Sequence, residues 1–241
     1  AQHDVNIEEK KVNIPTYHVG TGDKTPIFYT GRTYQGAQGH IYPFPIYDQL
    51  LDTKIDQEYH TIFLENDYLE LSVIPELGGR LFTGLDKTNN YDFFYRQTVI
   101  KPALIGMIGA WLSGGIEWDI PDHHRPTSHL PIDYAIEEHE DGSKTVWVGE
   151  TELSRRMRWM VGLSLYPGKS YVEATVKIFN PTPYLHSFLY WANVAVHANK
   201  DYQVIFPPST QYGVQHAKNS FTTWPVGSGY YGGADRTRSE E

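Results

Sequence analysis

The chain has 241 residues, a formal net charge of −9 and no cysteine. An acidic surface lacks the basic footprint needed to displace counterions from nucleic acid or to settle on anionic lipid. The lack of cysteine excludes disulfides, thiolate metal sites and cysteine nucleophiles. No apolar run approaches the roughly 20 residues of a membrane helix, so neither a nucleic-acid partner nor a membrane span is expected.

In chain order, the first residues, AQHD, lack an initiator methionine and resemble a mature chain after leader removal, so a secreted or periplasmic location is expected. A polar lead precedes a strand predicted over residues 12–19. Residues 20–58 are rich in Gly, Pro and Tyr and read as an irregular arm packed by its aromatics, with a short turn at 48–52. Residues 1–58 are thus set apart from 59–241, where the pattern becomes β throughout. Residues 60–65 and 68–74 predict a hairpin across Asn66 and Asp67. Residues 75–79 read as a turn, 80–85 as a strand, 86–90 as a turn and 91–95 as another strand.

The densest chemistry lies at 106–125, GMIGAWLSGGIEWDIPDHHR. Residues 116–120 alternate apolar and acidic side chains, so a strand would turn Ile116, Trp118 and Ile120 inward and put Glu117 and Asp119 on the other face. Gly114 and Gly115 permit a bulge or a close approach, and Pro121 ends the strand.

Downstream, residues 132–139 and 144–150 predict a hairpin across Asp141 and Gly142. Residues 157–165 run to a turn at Pro167 and Gly168. Residues 171–179 alternate, with Val172, Ala174, Val176 and Ile178 facing in. Residues 186–197 read as one long strand carrying Trp191, Asn193 and His197 on one face. No window of more than about ten residues shows helical periodicity. Successive strands joined by tight turns predict an all-β protein built of antiparallel sheets.

Residues 74–87 (IPELGGRLFTGLDK), 176–183 (VKIFNPTP) and 190–194 (YWANV) resemble the galactose mutarotase-like, or aldose 1-epimerase-like, superfamily. Residues 113–118 (SGGIEW), 124–127 (HRPT) and 190–193 (YWAN) are similar to an uncharacterised secreted bacterial family within it, often fused to C-terminal tetratricopeptide repeats. The resemblance spans roughly residues 60–225. It implies a large two-sheet sandwich with a sugar-sized cleft, further C-terminal domains in a longer chain, and a carbohydrate ligand. Two departures stand against the superfamily's usual chemistry. Phe188 and Leu189 occupy the neighbourhood of its histidine before the aromatic pair, and the tail after Trp224 offers only Asp235, Glu240 and Glu241 for its late catalytic glutamate.

On this reading Glu117, His124 and His197 are the catalytic candidates, with Glu117 as general acid or base and a histidine as proton partner. Arg80, Arg125, Trp191, Asn193, His216 and Trp224 are the substrate-binding candidates, through planar guanidinium forks, stacking faces and hydrogen-bonding amides. Two acids on one face of one strand cannot flank a glycosidic bond, and Glu152 or Asp133 would supply a second carboxylate only by default. Asp122, His123 and His124, with His129 or His216, have ligand chemistry, but adjacent histidines point apart on an extended chain. No metal and no cofactor are expected. Anomer interconversion and glycoside cleavage both remain open. The alternative is a module without catalysis that binds glycan or docks neighbouring domains of a larger secreted protein.

Overall fold

The structure, a computed structural model, describes residues 4–25, 42–105, 108–121, 124–215 and 220–235. The described residues through His197 form one compact unit, and those from Ala198 onward a second.

In the first unit the strands are β1 (Asn6–Val19), β2 (Leu50–Glu65), β3 (Leu69–Ile74), β4 (Arg80–Asp86), β5 (Tyr91–Asp92), β6 (Ala103–Ile105), β7 (Gly109–Trp111), β8 (Ile116–Asp119), β9 (Asp133–Glu138), β10 (Lys144–Thr151), β11 (Arg158–Leu165), β12 (Val172–Phe179) and β13 (Trp191–Val194). The second unit carries two small ribbons, β14 (Tyr212–Val214) with β15 (Phe221–Thr223), and β16 (Tyr230–Tyr231) with β17 (Ala234–Asp235). A 3-10 turn at Pro75–Leu77 is the helical element among the described residues. The protein is all-β.

A seven-stranded antiparallel sheet runs in the order β1-β2-β3-β4-β8-β13, with β5 paired to β4; a four-stranded sheet runs β12-β11-β10-β9. Alternation along each strand supplies the core between them. Leu64, Leu71, Leu81, Trp118 and Ile120 from the larger sheet meet Val146, Val148, Trp159, Val161 and Leu163 from the smaller one, all but inaccessible to water. Each such side chain contributes about 1.5–3 kcal/mol on burial. The intervening residues Ile74 and Phe82 point to the opposite face of the large sheet. There they join Ile14, Tyr59, Leu77, Ile100 and Leu112 in a second apolar cluster.

Asn66 locks the β2–β3 hairpin to the other sheet. Its Oδ1 accepts the Tyr68 and Leu69 N–H groups, while its amide donates to the carbonyls of Tyr166 and Lys169 beyond β11. The turn after β3 depends on Gly78, whose φ of 70° places it in the left-handed region that glycine adopts without steric cost.

Three expectations need correction. The first strand is longer than residues 12–19, because β1 pairs with β2 from Asn6 onward. Residues 50–58, the end of the expected irregular arm and of its turn, instead form the first part of β2, and residues 26–41 of that arm lie outside the described residues. This end of the β1–β2 ribbon is exposed on both faces, so it has no apolar alternation to announce it. The long strand predicted over 186–197 shrinks to β13, since its ladder partner β8 offers only four residues.

The candidate site on strands β8 and β13

Gly114 and Gly115 deliver the chain into β8 with φ values of 100° and 62°. A Cβ on Gly115 would lie 2.2 Å from the Leu81 carbonyl oxygen. Only glycine lets β8 approach β4 here. Trp118 then enters the core and donates its indole N–H to the Gly79 carbonyl at 3.1 Å, and Ile120 follows it inward. Glu117 and Asp119 face the other way, as alternation requires, but this face is also closed. Their side chains are 1% and 0% exposed.

The antiparallel register sets Asn193 opposite Glu117 and Trp191 opposite Asp119, and directly opposed residues share a face. Glu117 Oε2 becomes a hub. It accepts the Trp111 indole N–H at 2.8 Å, the Asn193 amide at 3.1 Å and His124 Nδ1 at 3.1 Å. A carboxylate only accepts, so the His124 proton belongs on Nδ1. The His124 ring, its side chain 10% exposed, sits between the Trp111 and Trp191 rings at centroid distances of 5.2 and 4.8 Å.

Burial alone would raise the pKa of Glu117. The His124 hydrogen bond, the Arg80 charge and the Trp111 hydrogen bond outweigh it and bring Glu117 down to about 2. Asp119 goes the other way. Burial and the Glu117 charge push it well above the usual carboxylate range, against the opposing pull of Arg125. Glu117 Oε1 and Asp119 Oδ2 are both buried with no hydrogen-bond partner among the described residues other than what a proton between them would supply. The carboxylates of Glu117 and Glu150 already face the two guanidinium charges of Arg80 and Arg125, so the proton stays on Asp119, where burial and the neighbouring Glu117 charge oppose ionisation. The two acids therefore have different states, one ionised and one protonated.

One ligand atom each from Glu117, Asp119 and His124 lie within 4.8 Å of one another. These oxygen and imidazole donors suit a divalent ion. Arg80 and Arg125 already carry the charge such an ion would bring, so an ion would have to displace the Asp119 proton.

Both arginines expected to clamp a ligand are interior. Arg80 is 2% exposed and donates to the carbonyls of Leu112 and Gly114, holding the segment that leads into β8. Arg125 is 3% exposed. Its guanidinium donates to the carbonyls of Trp118 and Gly78 and to Thr127 and Glu150, and it stacks on Trp159 at 4.6 Å. Its backbone N–H donates to Asp119 Oδ1.

His197 stands apart from the Glu117 hub. Its Nε2 bonds the Asp92 carbonyl at 2.9 Å, and its ring lies against Tyr91 and Tyr95; the chain has left β13 before reaching it. Trp224 belongs to the second unit and packs on Phe206 and Tyr231. His216, His123 and Asp122 lie outside the described residues. Glu152 is consumed by its own turn, accepting from Ser154, Arg155 and Met157, and Asp133 is exposed on β9. Trp111 is the site residue that alternation could not reveal. It arrives on β7, which pairs with β6 instead of with β8.

Fold and site together define an all-β sandwich protein with a buried, proton-holding acid pair under an aromatic-flanked histidine. The profile of a domain of unknown function, DUF5107, matches residues 37–237, and the chain belongs to that family. It is also similar to a solved TPR-domain-containing protein from Parabacteroides distasonis. The two share 26% identity at a TM-score of 0.69, over 89% of this chain and 35% of the other. The chain thus spans about a third of that protein's length.

Proposed function

We propose that the β8–β13 face is a carbohydrate site of a mutarotase-like sandwich in a secreted or periplasmic bacterial protein, with His124 as its proton-transfer group. The observation that carries this is the Glu117 hub, which gathers a tryptophan, an amide and a histidine around one ionised carboxylate, with a second tryptophan against the histidine ring. Half-buried Trp111 and Trp191 offer flat faces to a pyranose ring and Asn193 offers an amide. Glu117 is too buried to meet a sugar itself. By holding Nδ1–H it fixes the tautomer and orientation of the imidazole, leaving Nε2 as the atom that exchanges a proton with a sugar hydroxyl. The two acids share one face of one strand and do not flank a bond, which favours anomer interconversion over glycoside cleavage.

The test is polarimetry of freshly dissolved α-D-glucose and α-D-galactose with the purified chain. Mutarotation faster than buffer, lost in His124→Ala and weakened in Glu117→Gln, is the expected result. Rates equal to buffer for both sugars would remove the catalytic reading. The second reading is a non-catalytic glycan-binding or interdomain module. It is favoured by the partial coverage of the longer TPR-containing protein, and glycan-array binding without any change in anomer ratio would support it.

A further inference from the structure

Strand β12 ends the four-stranded sheet, paired to β11 on one side and to no strand of the described residues on the other. Alternation turns Val172, Val176 and Ile178 toward the core, yet each stays partly open to water where the core residues of β10 and β11 are closed off. Phe179, at its end, is 61% exposed. The strand runs for eight residues with no proline and no shift of register against β11, so it lacks two of the devices that blunt a free edge. Its outer face carries one acid and one base, Glu173 and Lys177, both exposed. Glu173 accepts the Tyr166 hydroxyl at 3.1 Å and Lys177 lies 4.4 Å over the Trp147 ring, so neither is spent in an ion pair among the described residues.

We propose that β12 is a homodimer seam, pairing antiparallel with β12 of a second copy of this chain about a two-fold axis at Thr175. Pleating limits the registers. Opposed residues share a face, so a two-fold pairing must set core-facing residues against core-facing ones, and its axis passes through a residue instead of between two. An axis at Thr175 puts Glu173 of each copy opposite Lys177 of the other, with Val172 facing Ile178 and Ala174 facing Val176 on the inner side. An axis at Ala174 sets Glu173 against Thr175 and Lys177 against Tyr171, and one at Val176 sets Glu173 against Phe179 and Lys177 against Thr175. Charge therefore selects Thr175. Two opposite-charge pairs then fix the register, and the half-open inner row is covered by its own counterpart. The other edge of the same sheet is unsuited to such a contact. Strand β9 carries Asp133, Glu137 and Glu138 and no basic residue, so a second copy would meet like charge. None of the β12 residues bonds to Glu117, and the seam is independent of the sugar site.

The experiment is sedimentation equilibrium of the purified chain from about 1 μM to about 1 mM, alone and with the charge reversals Glu173→Lys and Lys177→Glu. The wild type should show a reversible equilibrium between monomer and dimer. Each reversal turns two opposite-charge pairs into two like-charge pairs and should weaken dimerisation about tenfold or more. Mixed in equal amounts, the two variants should pair with each other about as tightly as the wild type pairs with itself, because one then carries only acid and the other only base at these two positions. That rescue also separates a lost seam from a lost fold, since a misfolded chain would not regain a specific partner. A wild type that stays monomeric leaves this edge to another segment of a longer chain and overturns the proposal. So does a dimer unmoved by either reversal, and so do two weakened variants that fail to pair when mixed.

Discussion

Replacing each acid of the buried pair by its amide tests where the proton resides. An amide in place of a protonated Asp119 is nearly isosteric and equally neutral. Its carbonyl can keep the Arg125 N–H, which Asp119 Oδ1 accepts at 3.1 Å, and its NH₂ can donate toward Glu117 Oε1, which has no partner among the described residues. Asp119→Asn is therefore expected to change the unfolding free energy by less than about 1 kcal/mol. Glu117→Gln removes a charge that Arg80, His124 and Trp111 stabilise. The fall from 4.5 to about 2, at about 1.4 kcal/mol per pH unit, corresponds to roughly 3 kcal/mol. Part of this is recovered as Asp119 ionises to balance Arg80, which leaves a cost of about 2–3 kcal/mol. Urea unfolding at pH 7, followed by tryptophan fluorescence, measures both values. If Asp119→Asn costs as much as Glu117→Gln, both acids are ionised and the assignment of the proton is wrong.

Two further outcomes follow from the geometry. His129, drawn from 6.5 to about 4 by burial, binds its proton more weakly folded than unfolded. Its contribution to stability is complete above pH 6.5 and is lost as pH falls through 4, on the order of 3 kcal/mol in all. Urea midpoints between pH 7 and 4 should fall in the wild type and fall less in His129→Phe; parallel profiles would contradict this. Gly115→Ala would put a methyl 2.2 Å from the Leu81 oxygen at a φ of 62° and should cost at least about 2 kcal/mol, measured by thermal unfolding. A smaller loss would mean that β8 does not need glycine at its entry.

The hairpins were legible because their turn residues have specific chemistry. Asn66 and Asp141 accept the N–H groups of the residues just after them, and such turns are readable from residue type. Parity at β8 was legible for the same local reason, and it placed Glu117 and Asp119 together on the side away from the core. What parity could not supply was burial of that second face, which depends on Trp111, His124 and β13 arriving from elsewhere. Arg80 and Arg125 carry the residue type of a ligand clamp, and no local pattern distinguishes a clamp from an interior tie to backbone carbonyls. His197 fell on the right parity of an extended segment, but the ladder stops at Val194, and parity has no meaning beyond the last paired residue.

Arg125 joins two sheets with one side chain. It is bonded to the β8 backbone at Trp118, to Glu150 on β10 and across the face of Trp159 on β11, while its own amide holds Asp119. The sandwich is thereby riveted beside its buried carboxyls, and the Arg125 charge that opposes the rise in the Asp119 pKa is anchored by a strand that contributes nothing to the hub. Natural variation at position 150 would retune that acidity from the far layer while leaving every group around Glu117 untouched.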